Sequence, residues 1–119
     1  MLYYDFEAGN NAYKLRLGLR DIVNLEKDIK CYPLMVFGTG GDNLKVPQLS
    51  EMLAILHHSL QAYHHGVTRA KAEEIFMDFL ADGHTPADFV QHILGIYRVS
   101  GIISQSTDTT EPEEDNEKN

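Results

Sequence analysis

Apolar and polar side chains alternate at the start of the chain. Leu2, Tyr4 and Phe6 alternate with Tyr3, Asp5 and Glu7. Beyond AGNN, Tyr13, Leu15 and Leu17 alternate with Lys14 and Arg16. A period of two places one set on each face of a strand, so the pattern predicts a β-hairpin over residues 2–17. A turn at Gly9-Asn10 pairs Phe6 with Tyr13, Tyr4 with Leu15 and Asp5 with Lys14. One face is then apolar, and acids meet bases on the other. A slip of one residue would destroy both matches, which specifies the register. An isolated hairpin is marginal in water, so its apolar face must lie on helices.

Four stretches of helical period follow, at about 19–31, 47–64, 68–82 and 85–100. The first places Leu19, Ile22, Val23 and Ile29 on one side; Pro33 then interrupts, and PLMVF continues as a short helical turn. The second carries Leu49, Met52, Leu53, Leu56, Leu60 and Tyr63, and ends at Gly66. The third, capped by Thr68, carries Ala72, Ile75, Phe76, Phe79 and Leu80 and ends at Gly83. The fourth opens with Thr85 as N-cap, Pro86 at the first helical position and Asp88 in the capping-box place. Its stripe is Phe89, Val90, Ile93, Leu94 and Tyr97, with Gly101 as its stop. One-sided helices must pack together. The expected architecture is mostly α within the α+β class: a hairpin on about four short amphipathic helices.

Composition narrows the class. The chain has 119 residues, 43% of them hydrophobic and 24% charged, which predicts one globular domain over residues 1–103. The last sixteen residues, 104–119, hold six acids and one base, five of the eight net negative charges, and no large apolar side chain. Such a segment buries too little surface to offset its ordering entropy, so a disordered acidic tail is expected. A net charge of -8 argues against nucleic acid as partner. No apolar run reaches the roughly 18–20 residues of a membrane span, and the first residues do not read as a secretory signal. The single cysteine, Cys31, excludes an intramolecular disulfide and fits a reducing compartment.

Candidate chemistry is sparse. Histidines pair at 57–58 and 64–65. On a continuous helix His57 stands above His64, but about 10 Å away along the axis, too far to share an ion at bonds of about 2 Å. No metal site is expected there; if the helix unwinds before Gly66 the geometry changes, and His57 and His64 are the candidates. A border and turn role, with imidazoles meeting carbonyls near the helix end, is the favoured alternative. The run GTGGDN, residues 38–43, lacks the GK[ST] of a phosphate loop. Neither GxSxG nor HExxH occurs, and the acids form no evident catalytic pair, so no enzymatic activity and no cofactor are expected. Lys14, Arg16 and Arg20 are nearly neutralised by Asp5, Glu7 and Asp21.

Three runs carry a resemblance. YKLRLGLRDIVNLEKDI (13–29), LSEMLAILHHSLQAYHHGVT (49–68) and DFVQHILGIYRVSGI (88–102) resemble small tail assembly chaperones of long-tailed phages and prophages of Gram-positive bacteria. In that family a Y-x-L-R-L strand leads into an I-V-x-L-E-K helix. An LLAILHxSL helix then runs into an HHG-like turn, and an apolar helix closes the domain near V-S-G. The resemblance implies a non-enzymatic protein of the bacterial host cytoplasm that binds the tape measure protein, helps recruit tail tube protein subunits, and is not retained in the virion. It also implies a longer form made by ribosomal frameshifting, whose extension would attach at the acidic tail. Self-association into a homo-oligomer is left open. The expected partner-contact residues are apolar side chains not needed by the stripes: Met35, Val36 and Phe37, Met77, and Ile96 and Val99. Two alternatives stand beside this reading, a structural tail component and a small histidine-dependent metal-binding protein.

Overall fold

The computed structural model describes residues 2–38 and 45–104. The acidic tail beyond Ser104, and the glycine-rich run apart from Gly38, lie outside the described residues. Strands β1 (Tyr4–Ala8) and β2 (Asn11–Leu15) form an antiparallel hairpin in the expected register, with Tyr4 opposite Leu15, Asp5 opposite Lys14 and Phe6 opposite Tyr13. The link is a two-residue turn with positive φ at both Gly9 (57°) and Asn10 (67°), the mirror-image geometry that matches strand twist. The Gly9 N–H donates to the Asp82 carboxylate (2.9 Å), tying the turn to a helix end.

Helices α1 (Leu19–Ile29), α2 (Leu49–Leu60), α3 (Arg69–Ala81) and α4 (Phe89–Val99) follow. Single 3-10 turns at Pro33–Phe37 and Pro86–Asp88 precede the second and fourth. Their ends have local causes. The Asp21 carboxylate takes the Gly18 N–H (3.0 Å) at the start of α1, and the Glu51 carboxylate takes the Gln48 N–H (2.8 Å) at the start of α2. Thr68 Oγ1 accepts the Lys71 N–H at the start of α3. At Thr85 the reciprocal capping box forms as expected, with the Thr85 N–H on the Asp88 carboxylate (2.8 Å). That bond holds the Asp88 carboxyl below its ordinary pKa.

Two helices end earlier than their periodicity suggests. Helix α1 stops at Ile29 because Lys30 turns left-handed (φ 65°) and gives its N–H back to the Glu26 carbonyl. Helix α2 stops at Leu60. There the Gln61 side chain donates to the His57 and Val67 carbonyls (3.0 and 2.8 Å) and accepts the Gly66 N–H, closing a turn where the stripe had implied more helix.

The hairpin packs β1 on α3 and α4 and β2 on α2, while α1 lies on α2. Phe6 sits at the centre, its ring 5.5 Å from Phe79, 5.7 Å from Phe89 and 5.1 Å from His92. Polar bonds fasten the hairpin at its other end. The Arg16 N–H donates to the Ser59 carbonyl, the Leu17 N–H to Ser100 Oγ, and the Arg16 guanidinium to the Val99 carbonyl. The terminus of α4 therefore stands beside the chain segment leading into α1.

The buried side of α1 differs from the expected one. Leu25 is fully buried with Ile22 and Ile29 beside it, whereas Leu19 is 80% and Val23 42% exposed. At about 100° per residue, positions 22, 25 and 29 span an arc of about 60° that excludes Glu26. The expected arc, which runs from Ile29 through Ile22 and Leu19 to Val23, would have had to bury that carboxylate, and only its Ile22 and Ile29 edge packs on the core. Leu49 and Tyr63, also expected on the apolar stripe of α2, are only about half covered, because Leu49 is the first residue of α2 and Tyr63 lies beyond its end.

Candidate functional site

Two surfaces come forward once the helices are placed. The first is the outer face of α1, where Leu19 and Val23 stand one turn apart beside Arg20, Asn24 and Lys27 around a shallow depression. Neither Arg20 nor Lys27 forms an ion pair among the described residues. The face therefore offers apolar area flanked by free positive charge on a chain that is net acidic.

The expected contact residues divide. Met77 on α3 is 68% exposed, and Met35 is also exposed. Phe37 is half-buried and packs its ring on Tyr97, 6.2 Å between centroids. Val36 and Ile96 are completely buried and Val99 nearly so; these three belong to the core and offer no surface to a partner. Their spacing left them outside the stripes, but β1 packs on α4, and the 3-10 turn that carries Val36 meets α4 at Tyr97. Tyr97 shows the same crowding. It is fully buried, donates its hydroxyl to the Pro33 carbonyl (2.9 Å), and burial drives its pKa far up. Tyr32, Met35, Val46 and Leu49 form a further exposed apolar set, all within a few residues of the bond from the Lys45 N–H to the Phe37 carbonyl (2.9 Å).

The second surface contains histidines. His57 and His64 do not meet: His64 Nε2 accepts the backbone N–H of Lys14 (3.0 Å), so its lone pair is used within the fold. Burial and Lys14 hold His64 below its ordinary pKa, as that bond requires. The group that does converge is Asp28 from α1 with His57 and His58 from α2, each offering a ligating atom within 4.8 Å of the other two. His58 Nε2 donates to the Asp28 carboxylate at 2.6 Å, and His57 Nε2 donates to the Val67 carbonyl at 3.1 Å. Burial, then His58, lowers the pKa of His57. Asp28 escaped the sequence reading because nothing along the chain ties it to residues thirty positions away. The available signal was the i, i+3 and i, i+7 spacing of Ile22, Leu25 and Ile29, which seats α1 on α2.

Burial and the carboxylate of Glu51 raise the Cys31 thiol above its ordinary pKa, which suppresses thiolate reactivity. No described helix is long and apolar enough to cross a membrane.

The chain belongs to a family of unknown function, DUF6096, whose model matches residues 5–117, from β1 through α4 and into the acidic tail. No curated protein matches the chain, and no solved structure does.

Proposed function

We propose that this protein is a non-enzymatic phage tail assembly chaperone that binds the tape measure protein and helps recruit tail tube subunits in the bacterial host cytoplasm. The observation that carries the proposal is the exposed face of α1, where Leu19 and Val23 stand on the surface between Arg20 and Lys27. A partner with an exposed apolar helical stripe and acidic flanks fits such a face. Buried apolar area supplies the affinity and the charges orient the approach. The three sequence runs similar to tail assembly chaperones support the same reading, and the second of them, 49–68, covers α2 and the turn that follows it. The acidic tail is where a frameshift-extended form would continue.

The test is a tagged pull-down from cells expressing the surrounding phage or prophage genes, read by mass spectrometry. A long helical tape measure protein should be enriched by the wild-type chain and lost with the Leu19→Asp/Val23→Asp double variant, whose sites are exposed and should leave folding intact. Met77→Asp should weaken recovery less. Phe37→Asp is not a clean test, because that ring packs on Tyr97. Recovery of the chain only in purified tail particles would favour a structural tail component. Recovery of no tail protein at all would overturn both readings.

A further inference from the structure

We infer that Asp28, His57 and His58 form a binding site for one first-row divalent transition-metal ion, with zinc the best match to the donor set, clamping α1 to α2. This inference stands apart from the tail-assembly reading and uses none of its proposed contact residues.

Three observations carry it. The first is convergence: two imidazoles and one carboxylate from two helices place ligating atoms within 4.8 Å of one another. A tetrahedral zinc with bonds of about 2.0–2.1 Å separates its ligands by about 3.3 Å, so the group needs only small side-chain shifts. Asp28 is the ligand best able to move, because its side chain is 46% exposed while that of His58 is only 12% exposed.

The second observation is the protonation pattern of His57. The Val67 carbonyl can only accept, so His57 Nε2 carries the hydrogen and Nδ1 carries a bare lone pair. That Nδ1 is buried from solvent and has no hydrogen-bond partner. An unsatisfied buried acceptor is costly, and a ring whose far nitrogen is fixed by a carbonyl is the usual arrangement of a metal-ligating histidine. The third observation is the 2.6 Å contact between His58 Nε2 and Asp28, which holds a proton where an ion would sit. Binding would release that proton and let both atoms ligate.

The surroundings permit the ion. A cleft of about 260 Å³ bordered by Asp28, Ser50 and Glu51 opens on the Asp28 side of the group. Arg69 also borders the cleft and acts against positive charge at His57, with Glu73 3.6 Å from its guanidinium as a partial counter-charge.

The experiment uses the full chain without a polyhistidine tag, titrated with zinc against a chromophoric chelator and melted with and without the metal. The expected result is one ion per chain, a higher melting temperature with zinc, and at least tenfold weaker binding in both Asp28→Ala and His58→Gln, with His65→Gln unchanged. Cobalt(II) should give the intense visible bands of a four-coordinate site in the wild type and lose them in the same two variants. No zinc binding by the folded wild type would overturn the site. So would wild-type affinity in both variants, or binding that disappears with His65→Gln.

Discussion

Gly95 lies in the middle of α4, where a glycine ordinarily weakens a helix by roughly 1 kcal/mol relative to alanine. The Tyr4 ring explains it, since a Cβ on Gly95 would sit 2.2 Å from Tyr4 Cε1. The ring cannot easily swing aside, because its hydroxyl is bonded to His92 Nδ1 at 2.7 Å. Gly95→Ala should therefore destabilise the fold by about 1–3 kcal/mol, as overpacking does, despite the gain in helix propensity. Denaturant unfolding measures this directly, and a stabilised variant would show that the ring is free to move. Along the chain Gly95 is indistinguishable from a tolerated helical glycine; only the strand laid across it makes the missing side chain a requirement.

At the scale of elements, α1 gives the sharpest contrast between residues of the same type. Leu25 has no exposed surface and Leu19 is 80% exposed. Leu25→Ala should cost about 2–5 kcal/mol through lost burial and the cavity left behind, whereas Leu19→Ala should change stability by less than about 0.5 kcal/mol. Melting the two variants side by side decides between the observed face of the helix and the one that pairs Leu19 with Val23. The hairpin behaved differently. Its register was legible because two independent alternations, apolar on one face and charged on the other, agree on a single pairing. One amphipathic helix has no such cross-check, and its buried arc can be misjudged by about a sixth of a turn.

For the whole molecule, two histidines fasten the hairpin to the helices and make the fold sensitive to acid. His64 takes the Lys14 N–H of β2 and faces the Tyr13 ring. His92 meets the Tyr4 hydroxyl of β1 and is surrounded by Phe6, Phe79 and Phe89, with His84 and Asp88 the charged groups that act on it. Burial is the largest cause lowering both below the ordinary 6.5, followed by Lys14 for His64 and His84 for His92. The unfolded chain then binds more protons than the folded one below that pH. Their contribution to stability is thus full above 6.5 and is lost as pH falls toward the depressed folded values. Melting temperature should drop between pH 7 and pH 5, and His64→Gln should flatten part of that drop. A profile unchanged by the substitution would remove His64 from the account. The tail-assembly reading belongs to this scale too, because it needs an intact domain that presents α1 outward.

The sequence by itself determined the class of fold, the hairpin and its register, the Thr68 and Thr85 caps, and most of the apolar stripes of α3 and α4. All of these depend on neighbours within a few residues or on strict periodicity. Tertiary structure decided what local pattern cannot express: which arc of α1 is buried, and that Val36, Ile96 and Val99 are core. It also brought Asp28 to His58 and turned His64 away toward Lys14. The physical reason is common to these cases. Burial and side-chain pairing are properties of contacts between elements, and their energies are set by the packing of surfaces distant in sequence.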